Sequence, residues 1–426
     1  MSKTDKAWEV LFQRHDILNN VQKNGFFEIQ AKEIRKEREP RLMAKFDHYK
    51  NLPTLFKENG LSILPISRSS YVIGEFDVYS KVNYDKNLKP VQVPFPSHIT
   101  TIDPTNLYSE SSALHCAHVT GMMADVLGEE PEQTISGRMS SKEFGFTIRT
   151  RSGLERLIEI KNSQVEIDGG YESKTKFMIV EAKNEKVDDF LVRQIYYPYR
   201  LWREKTYKEV KPVFFTYSND IFSFFVYEFT DANRYNSLRL IEQKDYIIAH
   251  ENITFDDVAA LFHSIRTQAE PQIPFPQADS FPRIVDLLGL LVENDLSKED
   301  ITLNYDFDAR QTNYYTTAAI YLDLVERYIN KNKQVMFRLT SIGREIMLNR
   351  TKEKYLKLAG SIFAHEPFKR VFQEYLNTSK MPERKRVIQI MKECDLYNIN
   401  SESTYFRRAS TVISWTEWIM NLPKIY

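Results

Sequence analysis

Four apolar residues in a row, Phe177-Met178-Ile179-Val180, stop abruptly at Glu181-Ala182-Lys183. A strand this apolar on both faces belongs in the middle of a sheet, where an unpaired charge is costly. Side chains alternate along a strand, so Glu181 and Lys183 point to the same side. A carboxylate and an ammonium therefore share one small region at the end of a buried strand.

The preceding stretch supplies more acid. Residues 164–172 read as a strand with Glu166 and Asp168 on one face, followed by Gly169-Gly170, a pair suited to a bulge or a close approach. The polar run from Ser173 to Lys176 reads as a hairpin turn. With the turn centred there, Asp168 lies opposite Glu181, and Glu166 opposite Lys183. Two carboxylates with the Ala182 carbonyl between them make an all-oxygen site for Mg²⁺, with Mn²⁺ able to substitute. Lys183 beside it can orient or help deprotonate a metal-bound water, which becomes a hydroxide aimed at phosphorus.

The spacing of Asp168, twelve residues, then Glu181-Ala182-Lys183 resembles the PD-(D/E)XK nuclease superfamily, with Ile167 in place of the usual proline. The surrounding order agrees with that resemblance. A helix is expected from Ser109-Glu110 to Gly128, a loop over 134–141, a strand over 144–149, the acid hairpin, a helix over 187–203, and strands over 213–217 and 222–229. The resemblance implies catalytic roles for Asp168, Glu181 and Lys183 with Glu166 nearby. It further implies an accessory acid at Glu110 and a supporting polar side chain at Gln194. Helix N-terminal charge and an ordinary surface glutamine are the plainer readings of those last two. Arg138 in the expected loop either touches phosphate or is solvated. His115, Cys116 and His118 have no further ligand cluster nearby and read as helix packing and surface.

Composition sets limits on the rest. The chain has 426 residues, enough for several domains, and 58 basic residues balance 58 acidic ones, so a nucleic-acid surface has to come from local segregation of charge. Two cysteines far apart support neither a disulfide framework nor a cysteine zinc site. No signal peptide or long apolar segment is visible, which points to the cytoplasm and no membrane.

The expected fold class is α+β multidomain. Residues 1–95 form an N-terminal α+β domain with a possible DNA contact, 96–232 a mixed-sheet core with helices, and 233–280 a helical connection ending in the proline-bearing stretch 269–282. Residues 281–350 show helix, polar segment, helix and a short strand, an order that resembles a winged helix. Arg310, Gln311, Asn313, Tyr314 and Thr317 lie on the early turns of its second helix, and these types read base edges or hold phosphates. An ordinary amphipathic helix is the rival reading. Residues 351–426 are expected to repeat the winged theme, with Arg407, Arg408 and Ser410 as phosphate or base contacts; a helical dimerisation domain is the alternative.

The whole arrangement resembles a type II restriction endonuclease. It implies Mg²⁺-dependent hydrolysis of double-stranded DNA leaving 5′-phosphates, a homodimer when cleaving, and a companion DNA methyltransferase. Two other readings remain: a modification-dependent endonuclease holding a flipped base near Tyr71, Phe76 and Tyr79, and a non-catalytic DNA-binding regulator.

Overall fold

Seven strands form the central sheet, in the order Val91–Val93, Leu238–Ile248, Ile221–Phe229, Glu209–Ser218, Lys176–Lys183, Gln164–Glu172 and Glu132–Ser140. In this computed structural model the described residues are 2–85, 87–107, 109–249, 251–304 and 309–426. The sheet is mixed. Lys176–Lys183 runs parallel to Glu209–Ser218 on one side and antiparallel to Gln164–Glu172 on the other. Placed third from one edge, Lys176–Lys183 is covered on both faces, as its apolar run requires, and Phe177 to Ala182 are all buried.

The chain divides into two compact units that take alternating pieces of sequence. One holds Met1–Leu88, Gly121–Thr216 and Ser223–Lys244; the other holds Lys89–Thr120, Tyr217–Phe222 and Asp245–Tyr426. The protein is thus a mixed α+β chain with a seven-stranded mixed sheet and a helical C-terminal region.

In the first unit, the N-terminal helix Lys3–His15 starts at a Ser2 and Asp5 capping box and buries Trp8, Leu11 and Phe12. They share a core with Ile63 and Ile73 from a small antiparallel sheet of Phe26–Gln30, Ser70–Gly74 and Ser62–Pro65. A larger core lies on one face of the acid hairpin. Phe177 and Ile179 meet Val165 and Ile167 there, and Ile195, Tyr196 and Tyr197 of the helix Arg193–Lys205 close over them. Each such side chain, fully buried, contributes about 1.5–3 kcal/mol. The ring of Trp202, near the helix's far end, meets Phe177 with centroids 5.1 Å apart. That contact lays the helix along the strand and brings its first turn to Glu181.

The second unit has one continuous core. Its first part runs helix Phe281–Glu293, short strand Leu296–Ser297, helix Lys298–Asn304, helix Ala309–Tyr321, and a hairpin of Val325–Ile329 with Val335–Leu339. The short strand pairs with the second arm of the hairpin, making three strands. Ser297 caps the helix that follows, accepting from the Asp300 amide at 3.0 Å.

Four expectations need correction. Residues 351–426 form the helices Thr351–Phe363, Glu366–Thr378, Arg384–Lys392 and Glu402–Ile425 with no strand, so a purely helical bundle stands where a second winged module was expected. The supposed loop over 134–141 lies mostly in the sheet-edge strand Glu132–Ser140, whose residues are all exposed or half-buried and so carry no apolar alternation. The stretch 233–280 is not only helical, because it contributes Leu238–Ile248 to the sheet. The helix expected over 109–128 is two, Glu110–Val119 and Met122–Leu127. Gly121 at φ +79° interrupts it in a left-handed conformation, and the two halves belong to different units.

Candidate active site

The acid hairpin adopts the register its turn implies, with Phe177 opposite Glu172 and Val180 opposite Gly169. The regular ladder then ends. On the other side of Gln164–Glu172, Ile135 pairs with Gly170 but Gly137 pairs with Ile167, so two steps on the edge strand span three on the acid strand. One extra residue therefore sits at Asp168-Gly169, a β-bulge. Glycine suits the spot, since a Cβ on Gly169 would lie 2.7 Å from the Tyr171 ring.

This bulge makes the site. Had the register continued, Ala182 would face the Ile167 backbone. Its amide donates instead to Asp168 Oδ2 at 2.8 Å. The N–H and C=O of one strand residue point the same lateral way, so the Ala182 carbonyl also faces the opened ladder. Lys183 Nζ donates to it at 3.0 Å and to Glu181 Oε1 at 2.6 Å. The amide of Gln194, in the first turn of the helix Arg193–Lys205, also donates to Glu181 Oε1.

The Glu181 carboxyl is raised to about 7, chiefly by burial; the Lys183 ammonium works against the rise, and the charges of Asp168 and Asp47 add to it. Glu181 is 7% exposed. Near neutral pH it is poised between its acid and its carboxylate.

A hard cation fits this donor set. Among the described residues no group of three His, Cys, Asp or Glu side chains converges as metal ligands, so a cation here would draw on Asp168, Glu181 and the Ala182 carbonyl, with water completing the shell. The Lys183 ammonium already bridges Glu181 Oε1 and the Ala182 oxygen, two of the atoms a cation would share.

The other predicted residues fall in several places. Glu166 lines a narrow crevice with Glu181 and Gln194, and its carboxylate takes a hydrogen bond from Arg138 Nε at 3.0 Å. Arg138 is therefore a strand residue in a surface ion pair. Glu110, in the first turn of Glu110–Val119, belongs to the other unit. In the second unit, Arg310 and Asn313 are exposed on the helix Ala309–Tyr321, while Gln311, Tyr314 and Thr317 are half-buried. Arg310 Nε donates to Tyr314 Oη at 2.6 Å. On Glu402–Ile425, Arg407 is exposed, and Arg408 and Ser410 are half-buried. The aromatic trio suggested for a flipped base is used in packing. Phe76 is fully buried, and Tyr79 Oη donates to the Phe46 carbonyl at 2.8 Å.

Asp47 escaped the sequence reading. It follows the helix Pro40–Ala44, and its carbonyl accepts from the Leu191 amide at 2.9 Å. Next to it, His48 Nδ1 lies 2.5 Å from the Asp189 carbonyl oxygen. Asp47 Oδ1 is buried without a hydrogen-bond partner. No local pattern marks this residue, because its link to the site is made entirely by tertiary contacts.

Comparison with known families covers the chain in three stretches. Residues 5–73, 74–247 and 283–424 match families described as domains of unknown function, DUF6996, DUF6997 and DUF7226 respectively. No curated protein and no solved structure matches the chain. Asp168, Glu181, Lys183 and Gln194 all lie in the middle stretch, and Asp47 in the first. Among the described residues no helix is long and apolar enough to cross a membrane.

Proposed function

We propose that this chain is a type II restriction endonuclease with a PD-(D/E)XK core, hydrolysing both strands of duplex DNA with Mg²⁺ and leaving 5′-phosphates. The observation that carries the reading is the convergence of Asp168, Glu181, Lys183 and the Ala182 carbonyl where a bulge opens the ladder.

Asp168, Glu181 and the Ala182 carbonyl would hold the divalent cation. When bound, the cation supplies a Lewis acid for the phosphoryl oxygens and lowers the pKa of a coordinated water. Glu181 would have to lose its proton to act as a ligand, and its raised pKa of about 7 delays that loss until neutral pH and above. Lys183 keeps a positive charge beside the carboxylates, where it orients the attacking water and offsets charge gathering on phosphate. Gln194 acts as a positioning residue by holding Glu181 Oε1.

The order helix, strand, helix, helix and hairpin over 281–339 supports a winged-helix DNA-reading module. Its helix Ala309–Tyr321 would enter the major groove with Gln311, Asn313 and Thr317 toward the bases. One cleavage site per chain implies a homodimer for cutting two strands, and a host using such an enzyme in its cytoplasm needs a companion methyltransferase.

The test is incubation of the full chain with unmodified phage DNA and Mg²⁺, followed by sequencing of the fragment ends. Discrete fragments sharing a short sequence are expected. Cleavage of methylated DNA alone would favour a modification-dependent enzyme, and specific binding without cleavage in Mg²⁺ or Mn²⁺ would favour a DNA-binding regulator.

A further inference from the structure

Two helices far apart in sequence, Ala309–Tyr321 and Glu402–Ile425, are fastened to the same short segment of the second unit. From the later helix, Thr411 Oγ1 donates to Asp279 Oδ1 at 2.8 Å and Trp415 Nε1 to the Ala278 carbonyl at 2.7 Å. From the earlier one, the Tyr315 hydroxyl reaches the Ser280 backbone and Arg283. This shared anchor sets Tyr314 within electrostatic reach of Arg408. Arg310 completes the group through its 2.6 Å hydrogen bond to Tyr314 and lies over that ring, with its guanidinium carbon 5.4 Å from the centroid.

Some arginines of the second unit are matched by carboxylates. Arg386 donates to Glu374 at 2.7 Å, Arg338 to Glu326 at 2.7 Å, and Arg370 pairs with Glu393. Among the described residues neither Arg407 nor Arg408 has a carboxylate partner, and the buried Arg408 Nε has no hydrogen-bond partner at all. Burial, and then the neighbouring Arg407 charge, hold the Arg408 guanidinium below its usual arginine range. Adjacent like charges, one of them half-buried, cost stability unless an anion offsets them. Beside them Phe406 is 53% exposed, with the Arg384 guanidinium 4.5 Å above its ring. Cationic groups gathered on two neighbouring helices suit the phosphates of a nucleic-acid backbone more than a small carboxylate ligand.

We infer that Arg407 and Arg408, joined by Arg310 and Tyr314, form one phosphate clamp for the backbone of duplex DNA. The inference rests on the nuclease reading for its substrate, and it adds a division of labour. Arg310, engaged by Tyr314, holds backbone instead of reading guanine, and the C-terminal helix extends the contact sequence-independently. Base readout is left to Asn313, Gln311 and Thr317.

The experiment measures binding of the full-length chain to a random-sequence DNA duplex, without divalent metal, over a series of salt concentrations. The variants are Arg407→Ala, Arg408→Gln and Arg408→Lys, each with its thermal melting curve. Each lost phosphate contact reduces the slope of log affinity against log salt by about one. For Arg407→Ala and Arg408→Gln we expect roughly tenfold weaker binding on every sequence with this shallower slope, and Arg408→Lys should restore most of it. A lower melting temperature in Arg408→Gln with an unchanged salt slope would assign Arg408 a packing role and overturn the clamp. Equal binding by all variants, or tighter binding of single-stranded RNA than of the duplex, would do the same while leaving the nuclease reading intact. Failure of the wild-type chain to bind duplex DNA at any salt would overturn both.

Discussion

Lys183 holds its ammonium 2.6 Å from Glu181 Oε1, two positions back on the same strand and facing the same side. The pair is nearly dry, with side-chain exposures of 13% and 9%. Removing one partner of so buried a pair leaves the other uncompensated, so its substitution reports on chemistry and stability together.

Lys183→Ala and Asp168→Asn should each lower cleavage of duplex DNA by at least about a hundredfold, the scale of losing one preorganised electrostatic group. Binding of the cognate site should hold, since the proposed base readout lies on other elements. Plasmid nicking and gel shift with the same preparations separate the two. Wild-type cutting by the Asp168 variant would remove that residue from the site.

Cation affinity should depend on pH through Glu181. Its proton must leave before the carboxylate can bind metal, so affinity should fall about tenfold per pH unit below about 7 and level off above. The same shift has a stability sign. The folded state holds this proton more tightly than the unfolded chain, whose value is 4.5, so the metal-free protein gains stability that is full below 4.5 and lost as pH rises through about 7. Asp47→Asn removes a charge that favours the proton and should move the limb of the affinity profile to lower pH. Calorimetric Mg²⁺ titrations at pH 6 to 8 test this, and a flat profile in the wild type would contradict it.

Metal identity follows from an all-oxygen donor set. After chelator treatment Mg²⁺ and Mn²⁺ should restore cutting. Ca²⁺, with longer bonds and more ligands, should support binding without turnover. Recovery with zinc alone would place catalysis elsewhere.

Base readout should localise to the helix Ala309–Tyr321. Asn313→Ala or Gln311→Ala should cost about 1–3 kcal/mol at the cognate site and relax preference at one base pair. Selection of bound sequences from a random pool is the check. Identical preferences in both variants would move readout off this helix.

Sequence and structure agree where the physics is local. The hairpin from Gln164 to Lys183 is legible because its turn and both arms lie within a few residues of one another, and the pairing of Val180 with Gly169 is the one that the turn implies. Gly169-Gly170 also marked the bulge. Asp47 left no trace, because the Leu191 amide that secures its backbone lies far along the chain. Polar edges hid in the same way. Glu132–Ser140 exposes or half-exposes every residue, and most of Leu238–Ile248 is likewise accessible, so neither shows the alternation that betrays a half-buried strand. The helical bundle after residue 350 looked like a second winged module because helix spacing alone does not reveal whether a hairpin follows.

The alternation of chain pieces between the two units limits how such a protein can change. Residues 89–120 and 217–222 belong to the same unit as 245–426, so cutting the gene anywhere after Lys244 separates the C-terminal part from pieces of its own unit. A transplant of that part onto another scaffold would leave those pieces behind. New specificities in this lineage, whatever the ligand, are therefore expected to arise by point substitution on a fixed frame, and chimeras joined at one crossover should fold poorly even between near relatives.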